Sequence, residues 1–384
     1  MHNRIPWNVA VPLFAVVSLV FTWGEDIGPV VGAVEALLLA GAVLAAVHHA
    51  EVVAHRVGEP LGSLLLAVAV TLIEVALIVT LMASGGDKAA SLARDTVFAA
   101  VMISTNGIAG LSLLVGSRRF GVTHFNADGS GSALATVTTL ATLSLVLPNF
   151  TTTHPGPRFS PGQLVFAAVA SLALYLMFVL TQTTRHPDFF LPVAPAMAAE
   201  DDAAAGGAAE HRAAGDRTPA DGAAGENHAG RPAATPALFS LGMLFVALVA
   251  VVGLAKVESP IIERMVAAAG FPHSFVGLVI ATLVLLPETI AAVRAARRGR
   301  MQISFNLAYG SAIASIGLTI PTIALASAWS PGPLVLGLGP MQLVLLTLTV
   351  VVSMLTVVPG RATRLQGEVH LVVLAAFFFM AISP

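Results

Sequence analysis

Residues 62–82 read GSLLLAVAVTLIEVALIVTLM, an unbroken apolar run with a single acid, Glu74, near its middle. A helix rises about 1.5 Å per residue and a bilayer's hydrocarbon core is about 30 Å thick, so roughly 20 residues cross it. The run is long enough, and Glu74 falls near mid-membrane. Residues 275–293, FVGLVIATLVLLPETIAAV, repeat the design, with Glu288 flanked by apolar turns and Arg294, Arg297, Arg298 and Arg300 following. Two acids on two similar spans organise the reading of the rest.

The chain has 384 residues, 56% of them apolar and only 10% charged, with a mean hydropathy of +0.86. Soluble chains carry about 25% charged residues. The composition therefore predicts an all-α polytopic membrane protein, with the lipid bilayer as its principal partner. A formal net charge of -2 points to no nucleic-acid partner. The absence of cysteine excludes disulfides and thiolate metal sites. The first apolar run, Pro6 to Trp23, lacks a small-residue cleavage signal before Gly24-Glu25-Asp26 and reads as a retained helix.

With Gly, Pro and charge as punctuation, spans are predicted near 6–23, 28–49, 60–83, 93–116, 130–148 and 161–183, then 237–255, 274–294, 303–328, 333–358 and 366–383. That gives about 11 transmembrane helices. A cytoplasmic N-terminus puts Arg4, Arg56, Arg118, Arg119, Arg185, the 294–300 arginines, Arg361 and Arg364 inside. Only Lys88, Arg94, Arg158, Lys256 and Arg264 are then outside, so positive charge favours that orientation. Residues 190–236 are rich in Ala, Gly and Pro, and acids from Glu200 to Glu226 outnumber Arg212, Arg217 and Arg231. Such a segment reads as a flexible cytoplasmic linker.

The linker separates halves that resemble each other. Glu74 matches Glu288, Asn106-x-x-x-Gly110 matches Asn306-x-x-x-Gly310, and Thr136, Thr138, Thr142 and Pro148 line up with Thr347, Thr349, Ser353 and Pro359. Five spans per half is odd, so the second copy crosses the membrane upside down. The expected organisation is a leading helix (1–27), a first five-helix repeat (28–189), the linker (190–236) and an inverted second repeat (237–384), an architecture of secondary transporters.

An ionised carboxylate in hydrocarbon costs several kcal/mol and persists only beside a cation, a proton or a wet cavity. Glu74 and Glu288 are therefore the predicted cation- and proton-binding residues. Two carboxylates offer at most four oxygens, whereas calcium takes six to eight at about 2.3–2.6 Å. Further oxygens must join. Pro287 has no backbone N–H, which frees the Leu283 carbonyl four residues earlier. Thr71, one turn before Glu74, offers a hydroxyl in the first copy. Asn106 and Asn306 are neutral oxygen donors on the next span of each half, their alternative being helix-to-helix hydrogen bonding beside small residues. Ser311 and Ser315 are hydroxyl candidates whose alternative is packing.

Residues 58–79 (GEPLGSLLLAVAVTLIEVALIV), 93–116 (ARDTVFAAVMISTNGIAGLSLLVG), 286–321 (LPETIAAVRAARRGRMQISFNLAYGSAIASIGLTIP) and the connector LVLPNF (145–150) resemble the bacterial calcium/proton antiporters of the calcium/cation antiporter superfamily. The resemblance covers nearly everything outside the linker. It implies that the two glutamates exchange cation for protons, and that the backbone carbonyls of Ala67 and Ala281, two turns before each acid, also coordinate. The sequence departs from the superfamily's Gly-Ser-Asn ligand motif, which only Gly310-Ser311 approaches.

The expected function is export of calcium against proton entry in a bacterial inner membrane. No cofactor beyond the transported ions is expected. A sodium or potassium/proton antiporter is the alternative within transport. His48, His49, Glu51 and His55 form a polar run at the end of the second span, but it is not H-E-x-x-H, which removes the main argument for an intramembrane metalloprotease. Glu35 lies inside the second span near the outer face, either on an ion path or at the interface.

Overall fold

The computed structural model describes residues 6–25, 27–57, 61–84, 90–192, 234–328 and 334–383. Eleven helical rods carry the described chain: α1 (Trp7–Thr22), α2 (Pro29–Val57), α3 (Leu61–Ser84), α4 (Leu92–Phe120), α5 (Ala127–Phe150), α6 (Pro161–Arg185), α7 (Ala234–Ala268), α8 (Phe275–Arg297), α9 (Met301–Ala326), α10 (Pro340–Val357) and α11 (Arg364–Ile382). Among the described residues nine helices are long and apolar enough to cross a membrane, and α1 and part of α3 are shorter apolar helices. Apolar side chains such as Phe14, Val20, Leu37, Phe245 and Val358 point outward, a surface suited to lipid. The protein is an all-α polytopic membrane protein.

Local chemistry starts the helices where the sequence allows. The Asn126 side chain accepts from the Asp128 and Gly129 amides at the head of α5. Ser160 and Gln163 form a reciprocal cap around Pro161 at the first position of α6. Between α8 and α9 the chain reverses within three residues, and Gly299 takes the positive φ of 75° that this requires. Threonines inside the spans return their hydroxyls to carbonyls four residues back, as Thr136, Thr138 and Thr347 do. That is why so polar a stripe is tolerated in an apolar rod.

Contacts between connectors fix how the rods alternate. On one face, Val335 donates to the Ala90 carbonyl, Leu338 to Leu145 and Gly337 to Pro157. On the other, β1 (Thr123–His124) pairs antiparallel with β2 (Arg361–Ala362), Asn126 N–H donates to Gln302 Oε1 and Arg119 donates to the Arg297 carbonyl. Successive rods from α4 to α6 and from α8 to α11 therefore run in opposite directions.

The pairings also recur between halves. α3 packs on α9 as α8 packs on α4, and α6 packs on α9 as α11 packs on α4. At the α4–α11 crossing a Cβ on Gly367 would lie 2.7 Å from the Leu114 amide nitrogen and 2.9 Å from the Gly110 carbonyl oxygen, so only glycine permits this approach. The α1–α2–α7 group makes a separate layer whose apolar cluster includes Leu19, Val43, Val47, Val251 and Leu254 and extends to α3 and α8. The larger core, with Phe98, Leu113, Phe305 and Tyr309, sits among α4–α6 and α8–α11.

Three boundaries differ from expectation. The seventh rod runs to Ala268 rather than 255, straight through Lys256, Glu258 and Pro260; Glu258 and Ser259 are buried there, and a polar residue that faces protein does not end a span. The second continues to Val57. The tenth starts at Pro340 rather than 333, since Gly337 and Gly339 hold the preceding chain extended over the α5–α6 connector. The linker expected over 190–236 falls outside the described residues from 193 to 233.

Candidate functional site

Glu74 and Glu288 lie on rods that touch, α3 and α8, each of which also packs on α9 and α4. Glu74 is buried, 3% exposed. Its Oε1 accepts a hydrogen bond from Ser315 Oγ on α9 at 2.6 Å. Glu288 is half-buried, its Oε2 has no partner among the described residues, and it lies within the electrostatic field of Glu74 and of Glu51. The two carboxyl groups thus sit on adjoining rods, with no Lys or Arg among the described ion pairs reaching either.

Other predicted ligands lie around them as follows. Thr71 is buried one turn before Glu74. Pro287 interrupts the hydrogen-bond ladder of α8 directly before Glu288, leaving the Leu283 carbonyl without that donor. Ala281 is buried on α8. Ala67 lies in α3, and its surroundings fall outside the described residues. Ser311 is half-buried one turn before Ser315, next to Gly310, where a Cβ would meet nothing within 4 Å.

The two asparagines make the helix-to-helix bonds that were their alternative. Asn106 is fully buried, but Nδ2 donates to Thr349 Oγ1 at 2.9 Å and Oδ1 faces His370 Nδ1 at 3.0 Å, binding α4 to α10 and α11. Asn306 Nδ2 donates to the Phe190 carbonyl at 2.7 Å and Oδ1 accepts from Gln302. It lies nine positions before Ser315, about 14 Å along the helix from the residue that meets Glu74. A buried amide takes whichever partners the neighbouring rods offer, and here they are not the acids.

Ser315, a hydroxyl candidate whose alternative was packing, is the direct partner of Glu74. A small residue's role depends on which rod it faces, and spacing along one helix does not carry that. The π-turn at Ile103–Ile108 in α4 was equally invisible; it packs on α8, α9 and α11. Ser104, within it, and Ser112, one turn beyond it, are fully buried with unpartnered hydroxyls. His370, whose Nε2 lies 3.2 Å from Thr356 Oγ1, also escaped notice as one histidine in an apolar helix. His49 faces the Asn8 carbonyl at 3.0 Å and braces α2 on α1. Among the described residues no three His, Asp or Glu side chains gather in a metal-binding group.

Comparison with known proteins follows the same lines. The family profile described as "Sodium/calcium exchanger protein" matches residues 27–184 and 239–383. The putative ionic transporter y4hA of Sinorhizobium fredii is 43% identical over 98% of this chain and 96% of its own length. The sodium-potassium/proton antiporter ChaA of Escherichia coli is 34% identical over 95% of this chain and 93% of its own. Among solved structures, native YfkE superposes with a TM-score of 0.68 at 15% identity, covering 98% of both chains. The H+/Ca2+ exchanger CAX superposes with a TM-score of 0.65 at 15% identity, covering 97% of this chain and 91% of that one. At this identity the two structures speak for the fold.

Proposed function

Because the chain belongs to the sodium/calcium exchanger family, a family of transporters and not of enzymes, we propose that it is a cation/proton antiporter of the bacterial inner membrane that exports calcium. In this reading Glu74 and Glu288 bind cation and protons in turn. The observation that carries it is that the two acids sit on touching rods, within electrostatic reach of each other, one of them bonded across to α9. The organisation is a leading helix and two inverted five-helix repeats, 28–189 and 237–384, with a cytoplasmic N-terminus; the recurring helix pairings support it.

The cation is held by both carboxylates, with neutral oxygens completing the shell. These are the Ser315 hydroxyl and the carbonyls of Ala67, Ala281 and Leu283, with Thr71 and Ser311 beside them. α4 stands to α8 as α9 stands to α3, so Ser104 and Ser112 are the candidates for the role at Glu288 that Ser315 has at Glu74. An empty site with two ionised carboxylates is too costly to occlude in an apolar interior. The carrier therefore changes sides only when loaded with cation or neutralised by protons, which couples the two fluxes. At two protons per calcium, each unit of pH gradient supplies about 2.7 kcal/mol, roughly a hundredfold calcium ratio.

Proteoliposomes with an imposed pH gradient test the reading. Calcium-dependent proton movement is the expected result. Proton movement driven by sodium or potassium but not calcium would replace calcium with a monovalent cargo, as the name of ChaA describes for that protein.

A further inference from the structure

A second pair of acids lies in the α1–α2–α7 layer. Glu35 on α2 is 1% exposed and Glu258 on α7 is 2% exposed. They sit across a tight interface. A Cβ on Gly32, one turn before Glu35, would meet Ile261 Cδ1 at 2.8 Å and come within 3.8 Å of Glu258 Oε1. Glu258 lies within the electrostatic field of Glu35. Ser18 Oγ of α1 donates to Glu35 Oε1, while Glu35 Oε2 and Glu258 Oε1 are buried without a partner among the described residues.

No described cation is engaged with the pair. The Lys256 ammonium sits 4.6 Å from the centre of the Trp23 ring, Arg264 Nε donates to the Pro260 carbonyl, and Glu263 takes the Ser259 hydroxyl and lies 3.9 Å from His273. α1 carries no ionisable residue, and Glu25 follows it in the connector. From the helices behind, α3 offers only Glu74, and α8 offers Glu288 together with Arg294 and Arg297 in its last turn. The remaining ionisable groups of α2, from His48 to Arg56, lie three or more turns beyond Glu35.

Two buried carboxylates across one tight interface, with no described cation against them, are not both kept ionised. A calcium ion would need six to eight oxygens, and the pair offers at most its four carboxylate oxygens and the one Ser18 hydroxyl. A proton needs only two. We propose that Glu35 and Glu258 share a proton, forming a second, proton-only carboxylate site outside the Glu74–Glu288 region. Its role as a proton store for exchange rests on the antiport reading; its existence does not.

Infrared titration of the protonated carboxyl C=O stretch separates the two questions when performed on purified protein carrying Glu74→Gln and Glu288→Gln. A carboxyl band should persist in that background, titrate with pH, and vanish on adding either Glu35→Gln or Glu258→Gln, each variant serving as a check should the other fail to fold. A band that survives both substitutions in folded protein, or the absence of any buried carboxyl band in the starting background, would overturn the proposal. Neither outcome depends on which ion the protein transports.

Discussion

Replacing Ser315 by alanine removes one hydroxyl and should be read out in cation affinity. The Ser315 Oγ donates to Glu74 Oε1 at 2.6 Å, and the two residues are 1% and 3% exposed, so bulk water does not take over the bond. A hydrogen bond to a charged group contributes about 1.5–3 kcal/mol. The bond favours the ionised carboxylate, which is the form that holds a cation. At about 1.4 kcal/mol per decade, its loss raises the half-saturating cation concentration roughly tenfold to a hundredfold at fixed pH. The assay is cation-driven proton movement in proteoliposomes, with calcium chloride varied over several decades and sodium and potassium chloride run alongside. An unchanged half-saturating concentration in a correctly inserted Ser315→Ala protein would refute the assignment of this hydroxyl to the site.

Glu74→Gln and Glu288→Gln should each abolish exchange while leaving a monodisperse, thermally cooperative protein; exchange surviving in either removes that residue from the cation site. Asn306→Ala gives up the bonds to Phe190 and Gln302 and should lower unfolding stability by about 1–3 kcal/mol with exchange retained, a pairing that lost transport at unchanged stability would contradict. Gly367→Leu places side-chain atoms where the α4 backbone already lies, so folded yield should collapse; normal yield would show that the α4–α11 crossing can open. Deleting Asp201 to Gly230 should leave exchange intact, and its loss in a well-inserted deletion would make the segment more than a tether.

The sequence identified the membrane class, eleven rods and the repeated acids, because each is written along the chain as the length, polarity and order of apolar runs; the family was legible in the motifs of 58–79, 93–116 and 286–321. Proline and glycine marked most ends to within a few residues, as Pro161 and Gly299 show. It erred at 256–268, where charge was taken as the end of a span although the helix continues into a protein-facing interior. That error concealed Glu258.

What only the tertiary structure decided is which polar side chains meet. Asn106 and Asn306 occupy matching places in the sequence, yet one joins α4 to α10 and α11 and the other anchors α9 to the chain after α6. Ser315, one small residue among several, closes on Glu74 from a rod 241 positions away. A buried donor or acceptor is satisfied by whatever the packed neighbours present. Those neighbours are set by how eleven rods cross, which no single rod encodes.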